Sequence, residues 1–297
     1  MRITQSMLSQ DLLRQLNNAN SKLSDLQEQL TTGKKISKPS QDPVVASLGI
    51  AYRTDVNHVD QYTRNMDQVH SWMDNSDSAL NQANSVMQRI RELTVEASNG
   101  TYTDDQRKSI DKEVGQLKEQ LANIANTQVA GRYIFNGTDT STKPVQADST
   151  QPGGYSVSAN TSDVMIEVGD GIKIPVNVKP SDAFPQDLFK DLSDLETALT
   201  KTGSSGTEIG GFLDKIDGHI NQLVGARAEL GARQNRVDMI DNRLSAQKQT
   251  AETMMSNNED AQFEQVLVDY QTQLSVQRAA LAVGSRVIQP TLVDFLS

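Results

Sequence analysis

Three histidines are the first residues to test for chemistry, because histidine supplies general bases and metal ligands. His58, His70 and His219 lie far apart in the chain, and none of them has the spacing of a helical zinc motif. This pattern favours structural or surface roles for all three. The 297 residues contain no cysteine, which excludes a thiol nucleophile, a disulfide framework and thiolate-bound metals.

Two acidic motifs also have simpler explanations than a catalytic or metal site. Asp104-Asp105 follows Thr103, and acidic residues are favoured in the first turn of a helix. Gly169-Asp170-Gly171 lacks the flanking residues of a phosphate-binding or calcium-binding loop, so it indicates a turn. The sequence therefore predicts no enzyme, no metal and no cofactor.

The composition favours long amphipathic helices over a thick globular core. The chain has 28 Lys and Arg against 38 Asp and Glu, a net charge of −10, which makes nucleic acid an improbable ligand. No run of about 18 apolar residues is present, and the first residues lack the apolar core of a cleaved secretion signal. With only 36% hydrophobic and 4% aromatic residues, the expected fold is mainly α and elongated.

The first helix has apolar residues at alternating intervals of four and three, which is the coiled-coil period. Gly33 ends this pattern, and residues 33–43 form a basic connector rich in turn-forming residues. Asp42 before Pro43 predicts an N-cap that starts the next helix. The leucines of the first helix seam are Leu12, Leu16, Leu23, Leu26 and Leu30.

The same rhythm continues through two inner helices. It runs from Tyr62 to Thr94 in one and from Ile110 to Ile124 in the next. Asn99-Gly100 predicts a stop between them, and Thr103 with Gln106 predicts a capping box. Long helices joined by a few residues are expected to lie antiparallel.

A β-rich insertion is predicted at residues 136–180. Asn136-Gly137 is a turn dipeptide, and residues 164–168 and 172–178 are β-prone runs on either side of Gly169-Asp170-Gly171. These runs predict a hairpin. A short helix is expected afterwards, with Leu188, Leu192, Leu195 and Leu199 on one face.

Two further heptad segments complete the chain, one from Phe212 to Met254 and one from Phe263 onwards. A pair of helices cannot cover all the apolar faces of the last segment, so part of this surface is expected to be buried against neighbouring subunits. A wider bundle within one chain is the alternative. The predicted assembly residues here are Phe263, Leu267, Tyr270, Leu274, Leu281, Ile288, Leu292, Phe295 and Leu296.

This layout is nested and predicts three domains. Residues 1–42 and 260–297 would pair as a terminal coiled coil. Residues 43–135 and 181–259 would form a helical rod domain around the insertion.

Several segments resemble the bacterial flagellins and their relatives. LQEQLTTGKKISKPSQDPVVAS at 26–47, SNGTYTDDQR at 98–107 and LGARQNRVD at 230–238 are similar to flagellin segments. More specific are AGRYIFNGTDTSTKPV at 130–145, IEVGDGIKIPVNV at 166–178 and SRVIQPTLVDFL at 285–296, which resemble hook-associated members of this family.

The resemblance implies a flagellin-like fold and a structural protein of the hook–filament junction, exported unprocessed by the flagellar type III apparatus and located outside the cell. It implies contacts with hook-associated protein 1, flagellin, copies of itself and an export chaperone that binds the C-terminal helix, without membrane insertion. A short flagellin is the alternative within the family. An unrelated secreted coiled-coil protein, a coiled-coil signalling protein or an enzyme within the β insertion are the alternatives outside it.

Overall fold

The computed structural model describes residues 5–288, which form eight α-helices and six short β-strands. None of the described helices has an apolar stretch long enough to cross a membrane. The helices are α1 (Gln5–Thr32), α2 (Pro43–Ala97), α3 (Asp104–Ala125), α4 (Pro180–Ala183), α5 (Gln186–Thr200), α6 (Gly206–Gly210), α7 (Leu213–Glu259) and α8 (Phe263–Ile288). The strands are β1 (Gln128–Val129), β2 (Arg132–Tyr133), β3 (Val145–Ala147), β4 (Tyr155–Val157), β5 (Met165–Gly169) and β6 (Ile172–Pro175). The mainly helical fold is confirmed.

The chain divides into two compact units. Residues 1–58 and 247–297 form one, which we call the terminal unit, and residues 59–246 form the other, the central unit. The predicted division into three domains stays a prediction.

The predicted helix starts are confirmed by their caps. Asp42 accepts hydrogen bonds through Oδ1 from the backbone N–H groups of Val44, at 3.0 Å, and Val45, at 3.1 Å. Thr103 and Gln106 form the reciprocal capping box that opens α3. Each cap satisfies backbone donors that the helix itself cannot pair.

In the central unit, α2 buries two neighbouring stripes of side chains. The predicted seam includes Met66, Met73, Leu80 and Met87, all at most 1% exposed. The buried hydroxyls of Ser76 and Thr94 are satisfied within the helix, since they donate to the carbonyls four residues earlier at 2.9 and 2.8 Å. The second stripe consists of Trp72, Ala79, Val86 and Leu93. A helix that buries two neighbouring stripes needs more than one partner along this wide face.

Those partners include α3, through the ion pair of Arg89 with Glu113, and α7, through the ion pair of Arg227 with Asp77, and α5 belongs to the same core. The buried residues of α5 are Leu188, Phe189, Leu192, Leu195, Ala198 and Leu199, so the predicted short helix is confirmed. α3 packs against α5, and Lys118 of α3 forms an ion pair with Glu196 of α5. The apolar residues of the α7 seam are buried from Ile216 to Leu244.

The strands form three separate antiparallel pairs: β1 with β2, β3 with β4 and β5 with β6. The predicted hairpin is the third pair, with Ile166 opposite Ile174 and Gly171 at φ +67° in its turn. The second strand ends at Pro175, earlier than the predicted run to Val178, although the N–H of Val176 still donates across to the carbonyl of Val164 at 3.0 Å. Phe135 packs edge-on against Phe184 beneath these strands, with ring centroids 5.2 Å apart.

Candidate functional site: an assembly surface on the terminal helices

Helices α1 and α8 lie side by side and antiparallel in the terminal unit. Leu12, near the start of α1, lies against Gly284, near the end of α8. Further along, Gln273 donates through Nε2 to the carbonyl of Ala19 at 3.4 Å, and Gln277 donates to the side chain of Asn20. The predicted pairing of the terminal helices is therefore present in the single chain.

The face that α8 turns towards α1 combines small, polar and larger apolar residues. Val266 and Gly284 are buried, and between them lie the half-buried Tyr270, Gln273, Leu274, Gln277 and Ala280. A Cβ atom on Gly284 would lie 2.9 Å from Cδ2 of Leu12, closer than ordinary packing allows. The absence of a side chain at Gly284 lets the two helices approach closely.

This face differs from the seam expected from the sequence. Phe263 is 57% exposed, Leu267 38% and Leu281 54%, so α1 does not cover them, although Tyr270 and Leu274 are half-buried. The periodicity was ambiguous because two stripes of α8 follow the same 4–3 rhythm, and the stripe with smaller side chains allows closer helix packing. Val268, Val276 and Val283 extend the exposed apolar surface. Phe263, Leu267 and Leu281 form one exposed stripe and the three valines lie on another side of α8, and we call the two stripes together the α8 apolar face.

The seam of α1 is only half covered. Leu12, Leu16, Leu23, Leu26 and Leu30 are all half-buried, and Ala19 is buried. Among the predicted assembly residues, Ile288 ends α8, and its side chain lies outside the described residues, as do Leu292, Phe295 and Leu296 entirely.

A group of ion pairs around Glu259 joins the connectors at the other end of this helix pair. The carboxylate of Glu259, only 7% exposed, lies 2.7 Å from Nη2 of Arg53 and 3.4 Å from Nζ of Lys34. Lys34 also pairs with Asp260 at 2.6 Å. We call Glu259, Asp260, Lys34 and Arg53 the Glu259 cluster.

Backbone hydrogen bonds reinforce this cluster. The N–H of Lys35 donates to the carbonyl of Glu259 at 2.7 Å, and the N–H of Ala261 donates to the carbonyl of Gly33 at 2.9 Å. These bonds form a short antiparallel bridge at Lys34 and Asp260. The side chain of Asn258 donates to the carbonyl of Val45 at 2.9 Å, which fastens the end of α7 to the start of α2.

Opposing effects set the pKa of Glu259. Burial disfavours the charged carboxylate, but the hydrogen bonds and positive charges of Arg53 and Lys34 outweigh burial and hold the pKa below its ordinary value of 4.5. The pKa of Asp260 is also lowered, through its hydrogen bonds with Lys34 and Ser256. Both carboxylates are therefore charged at neutral pH.

The residues considered for chemistry form ordinary structural contacts. His219 Nε2 lies 3.0 Å from a carboxylate oxygen of Asp191, and Lys215 pairs with the other oxygen at 2.7 Å. Asp104 and Asp105 lie in the first turn of α3, as expected. Within residues 5–288, no three histidine or acidic side chains come together in a group that could hold a metal ion.

Sequence reasoning missed the Glu259 cluster. The basic connector at Gly33 and the acidic pair Glu259-Asp260 were both visible as breaks between helices. Their opposite charges at matching positions of a nested layout could have suggested that they meet. The exposed valines of α8 were visible too, but their exposure depends on which stripe faces α1.

Comparisons with known proteins agree with this geometry. The model of the bacterial flagellin N-terminal helical region matches residues 3–140, and that of the C-terminal helical region matches residues 213–296. Flagellar hook-associated protein 3 of Escherichia coli K12 is 29% identical, with 94% of this chain and 95% of that protein aligned. Flagellin of Bacillus subtilis 168 is 26% identical, with 97% of each chain aligned.

One solved structure shows the same fold. A putative flagellar hook-associated protein from Vibrio parahaemolyticus superposes with a TM-score of 0.68 at 21% identity, over 74% of this chain and 100% of that one. The two family models together span about three quarters of the sequence, including both long terminal helices. This chain belongs to the bacterial flagellin family.

Proposed function

We propose that this chain is a structural subunit of the bacterial flagellum that forms the hook–filament junction, joining hook-associated protein 1 to flagellin. Similarity to hook-associated protein 3 along almost the whole chain supports the junction role. The observation that carries a structural, subunit-binding role is the α8 apolar face, which the chain leaves uncovered. Without this junction, flagellin would have no platform, so the chain would be required for filament assembly and motility.

The mechanism is mechanical, since apolar surfaces interlock copies of the subunit and its neighbours. Burial of a leucine, valine or phenylalanine side chain contributes about 1.5–3 kcal/mol. The α8 apolar face offers six such side chains, and the half-buried α1 seam adds to them. Because every copy in a ring would bury the same face, a small gain per residue becomes a large gain per assembly.

The partners follow from this role. Copies of the chain would meet laterally, with hook-associated protein 1 on one side and flagellin on the other. An export chaperone would cover the C-terminal helix in the cytoplasm, and the flagellar type III apparatus would carry the chain out of the cell. The proposal includes the three-domain division, with residues 1–42 and 260–297 as the assembly domain and residues 136–180 as the insertion.

A short flagellin remains the alternative, and the position of the chain in the flagellum distinguishes the two. Because the chain has no cysteine, Ser149→Cys in the exposed loop between β3 and β4 gives a single attachment point for a gold label. In cells whose only copy carries this change, electron microscopy should show gold in one band between hook and filament. Gold along the filament would establish the flagellin alternative, and unlabelled flagella would contradict both.

A further inference from the structure

A groove in the terminal unit lies between the basic connector and the start of α2. Ile36 and Pro39 form one side of it, and Val45 and Ile50 form the other. Its volume of about 240 Å³ is below the roughly 300–1,000 Å³ of typical small-molecule sites. We call it the connector groove. Its size and apolar lining suit side chains of a peptide segment better than a cofactor.

The rim of the connector groove is basic. Lys38 lies on it, and within residues 5–288 no carboxylate lies within ion-pair distance of its ammonium group. Arg53 is also on the rim and remains 61% exposed although it pairs with Glu259. Arg53 and Lys34 balance the charges of Glu259 and Asp260, which leaves the charge of Lys38 in excess. In a chain of net charge −10, this local excess of positive charge favours an acidic partner.

The chain itself contains a segment with the matching composition. Residues 292–296 read LVDFL, in which four apolar residues surround a single acid, Asp294. Apolar side chains flanking one carboxylate would complement an apolar groove with a cation at its rim. We propose that residues 292–296 of a second copy of this chain bind in the connector groove. This inference rests on the proposed function, because it requires copies of the chain to assemble.

The chain after α8 is too short for the segment to reach the groove of its own copy. The connector groove lies next to Glu259, at the start of α8, whereas residue 289 follows its far end. The 26 residues of α8 span about 39 Å at about 1.5 Å per residue. Residues 289–297 reach at most about 32 Å when fully extended. A chain therefore cannot place its own residues 292–296 in its own groove.

Disulfide trapping tests this contact directly, because each added cysteine is the only one in its chain. Purified Ser37→Cys chain, with its cysteine at the groove, is mixed at high concentration with Ser297→Cys chain under mild oxidation. Heterodimer should form on the order of tenfold faster than with the Ser149→Cys control, whose cysteine is on an exposed loop elsewhere.

An exchange of the charges at Lys38 and Asp294 then tests whether these two residues meet in the contact. Lys38→Glu, or Asp294→Lys in the other chain, should each lower the yield about two- to fivefold, and combining them should restore it. Ile50→Asp should abolish trapping because it places a charge in the apolar groove. Restoration by two opposite charges would not arise from a general effect on folding.

Two results would overturn the inference. One is heterodimer formation no faster than with the control cysteine. The other is an internal disulfide in diluted chains that carry both Ser37→Cys and Ser297→Cys, since the distance argument forbids it. Either result would leave the junction proposal intact if the gold label still lay in one band between hook and filament. Gold elsewhere together with efficient trapping would instead reject the junction and retain the groove contact.

Discussion

Helices α2 and α8 follow the same heptad rhythm, yet their apolar residues are buried to different extents within the chain. In the central unit, Met73, Leu80 and Met87 of α2 are at most 1% exposed. In the terminal unit, Leu267 and Leu281 of α8 remain 38% and 54% exposed. The two helices differ in partners: the part of α2 in the central unit packs against more than one helix, including α3 and α7, whereas α8 has α1 along one face.

This comparison separates two uses of one sequence pattern. A heptad specifies a helix and a stripe, but it does not say whether the partner of that stripe is in the same chain. In α2 the stripe stabilises the fold, so its loss should unfold the unit. In α8 the uncovered stripe is available for assembly, so its loss should leave the chain folded.

The largest effect should come from Leu80→Asp in α2. Leu80 is 1% exposed, so the change removes a buried leucine and adds an unpaired charge. Even truncation of such a residue to alanine costs about 2–5 kcal/mol, and the aspartate should unfold the central unit. Trp72, the only tryptophan, is buried there and reports this loss by fluorescence. A native emission spectrum in this variant would contradict the claim that the α2 stripe stabilises the central unit.

A smaller effect is expected at the Glu259 cluster. Because the pKa of Glu259 is lowered on folding, its contribution is present above about pH 4.5 and is lost as the pH falls through the folded value. Glu259→Gln should cost about 1 kcal/mol at neutral pH, since its cationic partners are partly exposed. Hydrogen exchange of the Lys35 and Ala261 amides should then be about fivefold faster.

The matched control is Glu252→Gln, which removes a half-exposed carboxylate whose Lys248 partner lies 4.0 Å away. It should leave exchange at Lys35 and Ala261 unchanged. The difference in amide exchange rate between the native chain and Glu259→Gln should also disappear at acid pH, when Glu259 is protonated. A difference that persists there would rule out charge as the source of the effect.

The same glycine substitution should act in opposite directions in the two units. Gly218, in α7 of the central unit, has open space around its Cβ position, so Gly218→Ala should add about 0.5–1 kcal/mol of stability. A Cβ on Gly49 of α2 would lie 2.5 Å from Oε1 of Glu259 and displace that carboxylate. Gly49→Ala should therefore speed exchange at Lys35, whereas Gly218→Ala should raise the thermal midpoint. Stabilisation by both changes would contradict the packing at Glu259.

The smallest effect is expected at the hairpin tip. Asp170 is exposed, and Asp170→Ala should change stability by less than about 0.5 kcal/mol and leave swimming intact. The neighbouring Gly171→Ala is the contrast, because φ of +67° should cost an alanine about 1–2 kcal/mol. Loss of motility in Asp170→Ala with normal export would assign this tip a role in assembly.

Local signals were enough to predict most helix boundaries and the hairpin. Asp42-Pro43, the capping box at Thr103 and the turn at Gly171 act through neighbouring residues, so their sequence context contains the necessary information. The seam of α2 was equally predictable, since its apolar stripe is unambiguous. Similarity to flagellin segments predicted the family correctly.

The face of α8 could not be predicted in the same way. Ala280 and Leu281 lie on two 4–3 stripes that share Gly284, and which stripe faces α1 depends on how closely the two helices approach. The Glu259 cluster joins residues more than 200 positions apart, for which no local pattern exists. Both features depend on tertiary packing.

The most direct test of the account is Leu281→Asp in α8, with Gln271→Asp as its exposed polar control on the same helix. Because Leu281 is 54% exposed in the chain, circular dichroism and Trp72 fluorescence should be unchanged in both variants. Purified hook–filament structures should contain Gln271→Asp at native amounts and almost none of Leu281→Asp, whose cells should shed flagellin. Finding Leu281→Asp there at native amounts, with filaments attached, would contradict the claim that this face assembles the junction.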